Sequence, residues 1–106
     1  MKAEEKQITT FEDLEVWQLC RALRKEIYKV TKTFPKDEER VLIPQMRRAA
    51  ISATANIAEG FGRFHYQENI QFCRQSRGSL FEIIDHLITC HDENYINGEK
   101  IHSINK

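Results

Sequence analysis

Glycine and proline are scarce: the 106 residues hold four of the first and two of the second. A β-sandwich or barrel needs many tight turns, and this chain has little material for them. No run of about 18 apolar residues occurs, so no transmembrane helix and no membrane partner are expected. The opening "MKAEEKQITTFEDLE" carries acidic residues and no apolar core. It reads as a short solvated arm over residues 1–10 rather than a signal peptide. Three cysteines are an odd number without paired spacing, and they read as reduced thiols in a cytoplasmic protein. Net charge is zero, so the global positive field of a strong nucleic-acid binder is missing.

What is present points to one helical domain over residues 11–106. Hydrophobic content of 41% and charged content of 30% suit a globular chain of single-domain length. Val16, Cys20, Leu23, Ile27, Val30 and Phe34 recur at helical spacing, with Arg21, Arg24, Lys25, Lys29 and Lys32 on the opposite side. Thr9 and Glu12 have capping-box spacing, which predicts a helix start near Phe11, and Pro35 ends that helix. Pro44 suits the first turn of a second helix running to about Glu59. Gly60 and Gly62 then supply backbone freedom for a C-cap and tight turn. A third helix is predicted over about 66–94, with Ile70, Cys73, Arg77, Leu80, Ile84, Leu87 and His91 as one stripe. Phe72, Ser76, Ser79, Ile83 and Cys90 form a second stripe beside it. "GEKIHSINK" reads as the start of a short fourth helix. The expected fold class is all-α, an antiparallel up-down four-helix bundle of three long helices and a short fourth.

Charge is unevenly placed. Residues 40–80 hold six basic and two acidic side chains, and every base is arginine: Arg40, Arg47, Arg48, Arg63, Arg74 and Arg77. Arginine suits internal pairing with Glu59, Glu82 and Asp85, or a phosphate-binding patch. On the second helix, Gln45, Arg48, Ser52, Asn56, Glu59 and Arg63 share one face, with alanines thinning the helix between them. Polar groups among closely packed backbones must find partners or cost about 1–3 kcal/mol each. This face therefore reads as a structural seam.

Competing chemistry fits less well. Ser52 has no histidine within its helix, so no catalytic residue is assigned. Gly60 and Gly62 lack the third glycine or the Lys-Ser/Thr pair of a phosphate loop. His86 and Cys90 stand four residues apart, with Cys73 and His91 on the same helix, but neither a zinc nor a di-iron pattern is complete. No metal, cofactor or small-molecule substrate is expected.

Four segments, "FEDLEVWQ" at 11–18, "FPKDE" at 34–38, "QMRRAAISATANIAEGFGR" at 45–63 and "GSLFEI" at 78–83, resemble the four-helix-bundle family also known as the 23S ribosomal RNA intervening-sequence or S23-type ribosomal proteins. The resemblance spans about residues 11–96. It implies a four-helix bundle assembling as a ring-like homopentamer, with no enzymatic activity assigned. A basic relative accompanies the reverse transcriptase of diversity-generating retroelements and binds nucleic acid. The motif falls on Gln45, Arg47, Arg48, Ser52, Asn56, Glu59, Gly60, Arg63, Gly78, Ser79 and Glu82. This chain departs from it at His65, where a capping Ser is usual, at Asn69, where an aromatic is common, and in its shorter fourth helix.

The resulting expectation is a non-enzymatic homo-oligomer, a pentamer, with apolar surfaces on helices one and three. Gln45, Arg47, Arg48, Ser52, Asn56, Glu59, Arg63, Ser79 and Glu82 form the structural seam. Arg21, Arg24, Lys25, Lys29, Arg74 and Arg77 are the candidate contacts to RNA or DNA. The alternative is a protein-interaction scaffold for a larger nucleic-acid enzyme, without direct nucleic-acid binding.

Overall fold

The computed structural model describes residues 7–63 and 65–97. Among them are three α-helices and no strand: α1 (Glu15–Thr31), α2 (Leu42–Phe61) and α3 (Tyr66–Asp92). Single 3-10 turns precede α1 (Phe11–Asp13) and α2 (Lys36–Glu38). The predicted fourth helix at 98–106 and most of the predicted arm lie outside the described residues.

α2 is the central element. α1 and α3 both lie along it, and their backbones meet each other far less. Partners climb α2 as they descend α3: Met46 meets Cys90, Arg48 meets Glu82, Ser52 meets Ser79, and Gly60 meets Asn69. The apolar interior falls into two clusters. One joins Ile27, Val30, Phe34, Leu42, Met46, Ile83, Leu87 and Cys90. The other joins Trp17, Cys20, Ala53 and Ile57, with Phe11 and Leu14 against it.

Three expected elements differ in register. α1 begins at Glu15, because Phe11–Asp13 forms a tight turn and Leu14 is extended. The Asp13 carboxylate, rather than Glu12, accepts the amides of Thr9 (2.9 Å) and Thr10 (3.2 Å). The buried side at the start of α1 is then Trp17 and Cys20, while Val16 is half exposed. Burying the indole, which stacks edge-on against Phe11 at 5.4 Å, gains more apolar area than burying a valine.

On α3 the second stripe from Ser76 onward is the core, joined by Leu87 of the first. Ser76, Ser79, Ile83, Leu87 and Cys90 are buried, whereas Cys73, Arg77 and His91 are exposed. α2 presents Ala49, Ala53 and Gly60 with almost no side-chain volume, so small α3 residues face it and the backbones come close.

The glycine cap is the third difference. No described glycine has positive φ. α2 closes by tightening to 3-10 bonds, Gly62 N–H to Glu59 C=O (3.2 Å) and Arg63 N–H to Gly60 C=O (3.1 Å). Space favours glycine at 60: an added Cβ would sit 3.0 Å from Phe72 Cβ and 3.5 Å from the Asn69 carbonyl. The left-handed cap occurs instead at the end of α3, where Asn94 has φ 64°. Asn94 N–H donates to His91 C=O (3.0 Å) and Tyr95 N–H to Cys90 C=O (2.8 Å), a Schellman arrangement that turns Tyr95 onto Phe34. The Tyr95 hydroxyl donates to Glu38 at 2.7 Å, a bond to a carboxylate that pushes the phenol up to about 12.

Candidate functional site

The predicted seam occupies the α2–α3 boundary. At its first end Arg48 donates to Gln45 (3.0 Å) and to Glu82 (2.5 Å), and the same Glu82 oxygen lies 3.0 Å from His86 Nε2. In the middle the Ser79 hydroxyl donates to Ser52 Oγ at 3.0 Å, and the Asn56 amide donates to the Ser52 carbonyl and hydroxyl, both at 2.9 Å. Ser76, fully enclosed, donates to the Ala53 carbonyl at 2.7 Å. At the far end Asn69 donates to the Gly60 carbonyl at 2.8 Å. Arg63 pairs with Glu59 (2.9 Å), approaches Glu68 (4.0 Å) and covers the Phe72 ring. No buried side-chain polar atom among the described residues lacks a partner.

Eight of the nine predicted seam residues lie along this boundary, with Glu59 and Arg63 at its solvent edge. Ser79 and Glu82 come to them from α3. Arg47 is a correction. It points to the other side of α2, where its Nε donates to Thr31 Oγ1 at 3.0 Å and its guanidinium lies 4.6 Å over the Tyr28 ring. Being adjacent in sequence to Arg48 puts it about 100° round the helix, which turns it toward α1.

The six candidate nucleic-acid contacts do not form one surface. Arg21, Lys25 and Lys29 make an exposed row along α1, with Arg21 over the Trp17 ring at 5.9 Å. Arg74 and Arg77 are exposed on α3, and Arg77 covers Phe81 at 5.6 Å. Arg24 is corrected: it is half-buried and donates to Thr54 Oγ1 at 2.8 Å, tying α1 to α2. Its charge suggested solvent, but a guanidinium on a long stem can reach an acceptor inside the helix interface.

Sequence reading also missed His86, Asn69 and Thr54 as members of these networks. His86 lies four residues after Glu82, and that spacing was a usable signal. Thr54 carried none, since its role depends on where α1 crosses.

None of the seam serines has an imidazole as hydrogen-bond partner among the described residues. Burial pushes the Cys20 thiol up, and burial together with the Glu38 charge pushes Cys90 up to about 11. Cys73 is exposed beside Asn69. No group of three or more His, Cys, Asp or Glu residues gathers into a metal-binding cluster among the described residues. No helix among them is long and apolar enough to cross a membrane.

Three helices joined by a hydrogen-bonded seam of small polar side chains define an all-α structural class. The family model for the 23S rRNA-intervening sequence protein matches residues 12–106, and the chain belongs to that family. No curated protein matches it.

Proposed function

We propose that this chain is a non-enzymatic subunit of a homo-oligomer, a pentamer of antiparallel four-helix bundles, that presents repeated basic rows to RNA or DNA. The observation that carries the reading is apolar surface left open on the two outer helices. Val16 and Leu19 on α1 are 50% and 65% exposed, and Phe81 and Ile88 on α3 are 59% and 49% exposed. Phe81 and Ile88 lie two turns apart on one side of α3. Gly78, one turn before Phe81, has nothing within 4 Å of where a Cβ would be. A bare glycine inside a 27-residue helix costs about 1 kcal/mol against alanine, a cost offset when another backbone packs there. The opposite running order of the α2 and α3 contacts supports the bundle, and the family's name supports an RNA connection.

Arg21, Lys25, Lys29 and Arg74 are the cations free for nucleic acid. One such row binds weakly, but several copies in a ring gain avidity. Balanced net charge favours a second reading, a scaffold that holds a protein partner and leaves nucleic acid alone. Light scattering coupled to size exclusion, run at low salt with and without RNA, tests both. A multimeric mass that shifts with RNA and reverts with salt supports the first reading. A multimer blind to RNA favours the scaffold, and a solitary chain at micromolar concentration sinks both.

A further inference from the structure

Arg47 is a fixed cation that the seam does not use. Its guanidinium is held from two sides, by the Tyr28 ring at 4.6 Å and by Thr31 Oγ1 at 3.0 Å on Nε. Thr31 is itself immobilised, buried and donating to the Ile27 carbonyl at 2.7 Å. The two terminal nitrogens of Arg47 have no acceptor among the described residues. That is the edge which grips phosphate in a bidentate manner.

Arg47 lines a cleft of about 500 Å³ between the end of α1 and the start of α2. Lys32 and Lys36 stand on its rim, neither with a carboxylate at ion-pair distance among the described residues. Phe34, Pro35, Ile43 and Pro44 supply an apolar floor, and Glu39 supplies the single carboxylate. The first turn of α2 opens into the same place. Val41 gives that helix no side-chain cap, and its first turn carries no acidic residue, the nearest carboxylate in the cleft being Glu39 just before it. Three cations therefore converge with a helix terminus on a cleft larger than a free anion needs and within the usual size of a small-ligand site.

We propose that this cleft binds a small phosphorylated organic ligand, of which a nucleoside monophosphate is the model: phosphate on Arg47, flanked by Lys32 and Lys36, ring against Pro35 and Ile43, and hydroxyl or amino donors to Glu39. The site is independent of the oligomeric reading.

Isothermal titration of the full chain with adenosine 5′-monophosphate, inorganic phosphate and adenosine tests it. The monophosphate binds saturably and more tightly than phosphate, and adenosine does not bind. Arg47→Gln weakens the monophosphate about tenfold or more, the loss of hydrogen bonds to a charged partner. Because that variant also frees Thr31, Lys36→Gln is the companion: it leaves the melting point unchanged and weakens binding about two- to fivefold. Adenosine binding as well as its monophosphate, phosphate binding equally well, no saturable binding, or an affinity untouched by both substitutions would each overturn the assignment.

Discussion

The two sides of α2 are joined in opposite ways. Toward α3 the enclosed links are short, serine to serine, serine to carbonyl and asparagine to carbonyl, and the long Arg48–Glu82 pair stands only at the solvent edge. Such short side chains reach a partner only when the backbones are close, and the space around Gly60 shows how close they are. Toward α1 the links are long, with Arg24 reaching Thr54 and Arg47 reaching Thr31 beside the larger buried side chains Trp17, Ile27 and Met46. One side is limited by volume and the other by reach. A side limited by volume fixes register and distance and tolerates little enlargement. A side strapped by arginines tolerates small shifts but depends on the straps.

Enlarging the tight side gives the largest effect. Gly60→Leu forces the side chain onto Phe72 Cβ, which cannot rotate away, and destabilises the chain by about 1–3 kcal/mol. Urea unfolding reads it, as a lower midpoint at unchanged slope. A midpoint equal to that of the parent would mean that α2 and α3 stand further apart than the seam requires.

Next comes cutting one strap on the α1 side. Arg24→Met keeps the apolar stem and removes the head that donates to Thr54. The Thr54 hydroxyl still donates to the Ile51 carbonyl, so the loss is one hydrogen bond, about 0.5–1.5 kcal/mol. Ser76→Ala on the tight side removes one bond of its own to Ala53 and belongs in the same range. If Ser76→Leu cost no more than Ser76→Ala, the volume argument for the α3 side would fail.

Gly78 tests whether the outer face of α3 is as open as it stands in a single chain. With nothing near, Gly78→Ala removes a helix-interior glycine and stabilises an isolated chain by up to about 1 kcal/mol. Where a second copy packs on that face, the same change gains less or costs, and Gly78→Leu lowers the mass measured by light scattering. Stabilisation by alanine together with an unchanged mass for the leucine variant would remove α3 from the proposed interface.

The parts legible in the sequence are those set by helix periodicity and by helix-terminating residues. α2 and α3 start where Pro44 and the 66-onward pattern place them, and the face is a seam because its spacing stays helical from Gln45 to Glu59, with Arg63 just past the helix end. What periodicity could not decide was which of two adjacent stripes on α3 is inside. Counting apolar residues favours Ile70, Leu80 and Ile84, yet serines are buried because α2 offers alanine and glycine opposite them. That choice depends on the partner helix and is invisible in α3 alone. Arg24 and Arg47 were misassigned for a related reason: a side chain of that length can leave its own face, and only the position of Thr54 and Thr31 tells where it goes.

The smallest effects concern the charged ends of the seam, and they are the sharpest test of a neighbouring copy. Glu59 and Arg63 form an i,i+4 pair with side chains 58% and 42% exposed, worth about 0.3–0.5 kcal/mol in one chain. Arg48 and Glu82 are also partly in solvent, and breaking that pair costs about 0.2–1 kcal/mol. Within a single chain, then, Glu59→Ala and Arg48→Ala barely move the unfolding midpoint. Both substitutions loosen an assembly only if a second copy buries these ends, since removing one partner of a desolvated pair costs several times more. Measuring midpoint against protein concentration separates the cases. A penalty that grows as the protein is concentrated, with a falling multimer mass, places the charged ends of the seam inside an interface. A penalty of no more than about 1 kcal/mol that is the same at every concentration leaves them as solvated ends of an internal α2–α3 join.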